Sequence, residues 1–147
     1  MTLYLVRHGE AASDKEDSRR PLSSVGRRQV EDLARQAKAA GVAPARILHS
    51  GILRAQQTAQ VLAATLDPQE VRAIDGLQPD DDPEPAAELA GESEEDVMLV
   101  GHLPFLGVLS GMLLGANLET SFSTATMACF ERGNRWKLLW KITGGPR

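Results

Sequence analysis

Hydrophobic positions fall into short unbroken runs separated by stretches of helical period. Leu3-Tyr4-Leu5-Val6 ends abruptly in Arg7-His8-Gly9-Glu10, and Val97-Met98-Leu99-Val100 ends in Gly101-His102. An unbroken apolar run beside glycine predicts a buried strand, so both histidines are expected where strands leave the core. Residues 11–20 are polar and charged, as a loop over that strand end would be, and Pro21-Leu22-Ser23-Ser24 reads as a turn and helix start. Val30, Leu33, Ala34 and Ala37 then recur at helical spacing up to Gly41 and Pro44. Arg46-Ile47-Leu48-His49 is a short strand. Ser50-Gly51 separates it from a helix carrying Leu53, Ala55, Ala59, Val61, Leu62 and Leu66, closed by Asp67-Pro68.

Residues 71–74 offer another short strand, and the acidic, proline-rich residues 78–88, with Asp80-Asp81-Asp82, read as a solvated loop. After the second strand-to-histidine junction, Phe105 to Leu114 reads as a buried helix. Residues 120–130 are a strand, Gly133-Asn134 a turn, residues 136–142 an edge strand and 144–147 a tail. Strands that alternate with helices and are apolar throughout predict a layered α/β domain with helices on both faces of a mostly parallel sheet. The last two strands are expected to be antiparallel.

Composition narrows the function classes. The 147 residues suit one domain, 1–147, with a sizeable core. With 16 basic against 20 acidic side chains, general nucleic-acid affinity is not expected, although a local cationic pocket is permitted. Cys129 is the only cysteine, so no intrachain disulfide can form. No apolar stretch reaches the roughly 20 residues of a membrane span, and the chain enters a strand directly instead of a basic leader. A cytoplasmic, monomeric protein without membrane insertion is the expectation.

The candidate chemistry gathers at strand ends. Arg7-His8 and Gly101-His102 are far apart in sequence yet can converge on one rim of a sheet. Arg54 lies in the first turn of a helix after another strand, where a guanidinium and helix amides together bind phosphate. His49, just before that helix, reads as a packed structural histidine, and Met127 and Cys129 as sheet residues. Trp136 and Trp140, four apart on a strand, share one face and read as packing.

Four motifs carry a resemblance: Leu5-Val6-Arg7-His8-Gly9-Glu10; Arg20-Pro21-Leu22-Ser23 with Gly26; Ser50-Gly51 through Arg54-Ala55, Gln57-Thr58-Ala59; and Val100-Gly101-His102-Leu103-Pro104. In this order they resemble the histidine phosphatase (phosphoglycerate mutase-like) superfamily, and most closely its small SixA-type phosphohistidine phosphatases. The resemblance implies a three-layer α/β/α sandwich and a covalent phosphohistidine intermediate. It places the nucleophile at His8, phosphate-binding arginines at Arg7 and Arg54, and the second pocket histidine at His102. It implies no metal and no cofactor.

Many relatives that act on phosphate esters use a carboxylic general acid from a central segment. Ile74-Asp75-Gly76-Leu77-Gln78-Pro79 supplies no clear match, leaving Asp75, Asp80, Glu10 and the carboxylates of residues 14–17 as candidates. Imidazole leaves phosphorus more readily than an alkoxide, so weak acid machinery suits a phosphoramidate. The short chain also leaves little room for a helical lid, which suits a histidine presented on another protein, such as a phosphotransfer or phosphocarrier domain, with inorganic phosphate as product. A small-molecule phosphomonoesterase and a non-catalytic phosphoprotein-binding module are the alternatives.

Overall fold

The structure, a computed structural model, describes residues 1–115 and 121–146. Thr120 and Arg147, the first residue of the expected strand and the last of the expected tail, lie outside them. In chain order the elements are β1 (Thr2–Arg7), α1 (Ser24–Ala39), β2 (Arg46–His49), α2 (Leu53–Leu66), β3 (Glu70–Ala73), α3 (Glu84–Glu92), β4 (Val97–Gly101), α4 (Phe105–Leu114), β5 (Thr126–Arg132) and β6 (Trp136–Thr143).

These strands make one six-stranded sheet in the order β3-β2-β4-β1-β5-β6. The most apolar runs take the centre: β1 and β4 are parallel neighbours in the register Leu3↔Val97 to Arg7↔Gly101. Strands β2 and β3 are also parallel to this pair. Strand β5 runs against β1, and the edge strand β6 pairs antiparallel with β5. Side chains alternate across the sheet, so each face packs its own helices. Tyr4, Val6, Ile47, Met98 and Val100 meet Val30, Leu33 and Ala37 of α1 and Ala59 and Leu62 of α2. Leu3, Leu5, Leu48, Val97 and Leu99 meet Ala86 and Ala90 of α3 and Phe105, Leu106 and Leu109 of α4. The result is the expected α/β/α sandwich.

Two segments differ from the sequence reading. The acidic stretch expected to be all loop gives rise to α3: Pro83 is its N-cap, proline stands in the first turn, Glu84 favours the positive helix end, and Ala86 and Ala90 bury one narrow face. Alanines are weak hydrophobic markers, and the surrounding charges conceal that periodicity. The strand expected from residue 120 starts only at Thr126, because residues 121–125 bend toward the end of β1, where the Ala125 amide donates to the His8 carbonyl at 3.0 Å.

Candidate active site

Three strand ends build the site. Arg7 closes β1 opposite Gly101 at the end of β4, and His49 closes β2 opposite Val100. His8, His102 and Ser50 therefore emerge side by side at the carboxyl edge of the central strands, where open parallel sheets present a crevice. The His8 amide donates to the Gly101 carbonyl at 3.2 Å, fastening the two histidine junctions together. Their rings stand 5.2 Å apart between centroids, tilted by 53°.

Each ring is anchored by one nitrogen. His8 Nδ1 donates to the Gly9 carbonyl at 2.6 Å, which leaves Nε2 as the unprotonated nitrogen of the neutral ring. His102 Nε2 lies 2.7 Å from Ser50 Oγ, and its Nδ1 is buried without a partner among the described residues. Burial is the largest influence on both. It drives His8 down to about 4, against the Gly9 bond and with help from the charges of Arg54, Arg7 and Arg20. It drives His102 to about 3, aided by His8, Arg54 and Arg7. Both rings are thus neutral at pH 7.

Arginines supply the field. Arg7 Nη1 donates to the Phe122 carbonyl at 3.0 Å. Arg54 sits in the first turn of α2, which contains no acidic residue to offset the positive helix end. Burial lowers the Arg54 pKa first and the charge of Arg20 next, while Asp14 acts in the opposite sense. A guanidinium nevertheless remains charged at neutral pH. The structure therefore brings together all four residues singled out from the sequence: Arg7, His8, Arg54 and His102.

The arginine helix also explains its own motif. Thr58, four residues after Arg54, donates to the Arg54 carbonyl at 2.8 Å and accepts the Gly9 amide at 3.1 Å. Gln57 Oε1 accepts the Leu22 amide at 2.7 Å and so holds the loop before α1. Ser23 caps α1 by accepting the Gly26 amide at 3.0 Å. Gly26 must be glycine, since a Cβ there would lie 1.9 Å from the Glu10 carbonyl oxygen.

Arg20, Ser50 and Thr58 stand inside the sequence motifs, but nothing in their local spacing marks a role for them. Arg20 occupies the left-handed region at φ 49° directly before Pro21, its Nε donating to the Ala12 carbonyl at 3.0 Å and standing 3.6 Å from Asp14. A strained non-glycine residue before proline is a signal of site geometry that only backbone coordinates reveal. Among the carboxylate candidates, Asp14 is the one whose charge acts on Arg54. Asp75 lines a cavity of about 410 Å³ with Gln78, Asp81 and Asp82, and another of about 310 Å³ with Ser50 and Ile74; neither is lined by His8 or His102. Among the described residues, no carboxylate charge contributes to the shifts of the two histidines.

Two neutral imidazoles, one with an unprotonated Nε2, in the field of guanidiniums have the chemistry to bind an anion and to offer it a nucleophilic nitrogen. Residues 3–79 match the family model described as histidine phosphatase superfamily (branch 1). The phosphohistidine phosphatase SixA of Escherichia coli (strain K12) is 31% identical over 143 residues, covering 91% of this chain and 89% of the relative. An uncharacterized protein of Picosynechococcus sp. (strain ATCC 27264 / PCC 7002 / PR-6) is 35% identical over 116 residues, covering 73% and 69%. A solved structure of the protein histidine phosphatase SixA complexed with tungstate superposes with a TM-score of 0.87 at 27% identity, covering 97% of each chain.

Proposed function

The chain belongs to the histidine phosphatase superfamily (branch 1), and on that premise we propose that it hydrolyses protein phosphohistidine through a covalent phospho-His8 intermediate. The observation that carries this reading is the open Nε2 of His8, fixed by the Nδ1 bond to Gly9 and held neutral by burial among cations.

The chemistry proceeds in two steps. The lone pair of His8 Nε2 attacks phosphorus as the substrate's P–N bond breaks, and that electron pair leaves on the substrate imidazole, which takes a proton from solvent water. Water then attacks phospho-His8, giving inorganic phosphate and restoring the free ring. Arg7 and Arg54 hold the phosphoryl oxygens in both steps, and His102 adds a hydrogen bond. Tungstate in the similar SixA structure is a tetrahedral oxyanion of the kind this pocket fits.

The substrate class follows from the leaving group. A site whose histidine pair lies in the field of guanidiniums, where the exposed Asp14 is, among the described residues, the carboxylate whose charge acts on Arg54, serves an imidazole leaving group better than an alkoxide. The partner we propose is a phosphotransfer or phosphocarrier domain, met in the cytoplasm by a monomer acting as one domain over residues 1–147. Among the described residues, no helix is long and apolar enough to cross a membrane. Turnover of a phosphohistidine protein compared with alkyl phosphate esters tests this reading. A large preference for the phosphohistidine protein is expected; preference for the esters, abolished by Asp75→Asn or Asp80→Asn, contradicts it.

A further inference from the structure

We propose that Ser50 is a positioning residue that sets the tautomer of His102: its hydroxyl donates to Nε2, so Nδ1 carries the ring proton and presents it to the phosphoryl group. The last clause rests on the phosphatase reading; the tautomer itself does not.

A count of donors and acceptors decides between the two tautomers. Ser50 Oγ has one proton and two lone pairs. One lone pair accepts the Ile52 amide at 3.2 Å, and the remaining contact is His102 Nε2 at 2.7 Å. Were the proton on Nε2, it would occupy the second lone pair and strand the serine proton without an acceptor among the described residues. Nδ1, buried and unpartnered there, would be a bare acceptor on a ring that stands 5.2 Å from that of His8. Two buried groups would be unsatisfied, each at a cost of about 1–3 kcal/mol. With the proton on Nδ1, the Ser50 proton has its acceptor in Nε2 and one ring donor is left over. An oxyanion satisfies that donor, and the ring that carries it stands 5.2 Å from the His8 ring. The bond at one imidazole nitrogen fixes the proton on the other.

Ser50 is itself held on three sides. Ile52 binds its hydroxyl, Gln78 Nε2 donates to its carbonyl at 2.9 Å, and the amide of the next residue, Gly51, donates to His49 Nδ1 at 3.0 Å. The last bond requires His49 neutral at Nδ1, and burial lowers its pKa in that sense. It also fixes Gly51 at φ 85°, a conformation that favours glycine. His49, read from sequence as packing alone, therefore supports the turn that aims Ser50.

Nitrogen-15 NMR of the histidine-labelled free protein tests this directly. The expected spectrum shows His102 protonated at Nδ1 and bare at Nε2; a ring protonated at Nε2 overturns the proposal. In Ser50→Ala, His102 becomes a mixture of tautomers and kcat falls roughly tenfold with little change in KM, while Ser50→Thr restores both. An unchanged His102 tautomer in Ser50→Ala also overturns it. Should Ser50→Ala fail to fold, the wild-type spectrum alone decides. The expected tautomer in a protein that turns over no phosphohistidine supports the Ser50 assignment and refutes the phosphatase reading, so the two are separable.

Discussion

Thr58 Oγ1 accepts the Gly9 amide at 3.1 Å while donating to the Arg54 carbonyl, and this hydroxyl joins the loop behind His8 to the arginine helix. Thr58 is wholly buried, so Thr58→Val leaves the Gly9 amide without a partner inside the protein. Unfolding stability is expected to fall by about 1–3 kcal/mol, with Thr58→Ser losing less. Urea denaturation of the three proteins at constant m-value measures it; equal midpoints would show that the bond contributes nothing.

Gly26→Ala is expected to be at least as damaging. Its new Cβ would meet the Glu10 carbonyl oxygen at 1.9 Å, and backbone, unlike a flexible side chain, has to shift as a unit. Overpacking of this kind costs about 1–3 kcal/mol and here displaces the loop that follows Gly9. Both the thermal midpoint and the turnover rate should drop, and a variant with unaltered values would contradict the close approach.

His8 and His102 give a pH signature whose sign is fixed. Their folded-state pKa values, about 4 and about 3, lie below the ordinary value of 6.5, so the native state favours the neutral rings. Their contribution to stability is complete above pH 6.5 and is lost as pH falls from there toward the folded values, because the unfolded chain binds the protons first. NMR titration should show both rings neutral at pH 5.5 in the free protein. Midpoints near 6.5 would mean that burial and the arginine field are weaker than the geometry implies. Added inorganic phosphate should raise the His102 midpoint, since an anion beside the ring favours its charged form.

Removing Arg54 should act on rate and on ring chemistry together. For Arg54→Ala, kcat is expected to fall by about 10²–10³, the scale of losing one preorganised charge stabiliser. The His8 midpoint should also rise, because the Arg54 charge is one of the influences that lowers it. Arg54→Lys recovers charge without the planar fork, so it should restore the midpoint more than the rate. Parallel kinetics and titration check both; loss of rate with an unmoved His8 midpoint would show that the Arg54 charge does not act on the ring.

The central strands and the four pocket residues were legible because each signal was local. An apolar run ending in Arg7-His8 or Gly101-His102 identifies a strand and its exit at once, and parallel pairing then sets the two histidines side by side. Helix α3 was hidden because Ala86 and Ala90 bury a face too small to stand out among acidic neighbours. The work of Ser50, Gln57 and Thr58 was hidden for another reason. Each bonds to a residue 35 or more positions away, and no local spacing encodes that contact. Arg20 shows a third difficulty: its φ of 49° before a proline is a conformation that its residue type would not choose and that no local pattern announces.

Rapid-quench analysis with a phosphohistidine protein bearing labelled phosphate tests whether His8 carries the phosphoryl group during turnover. Transient label on the wild-type chain at His8 together with release of phosphate is expected, and neither in His8→Ala. Phosphate release by His8→Ala at the wild-type rate, or stable binding of the labelled protein with no transfer and no release, would contradict it.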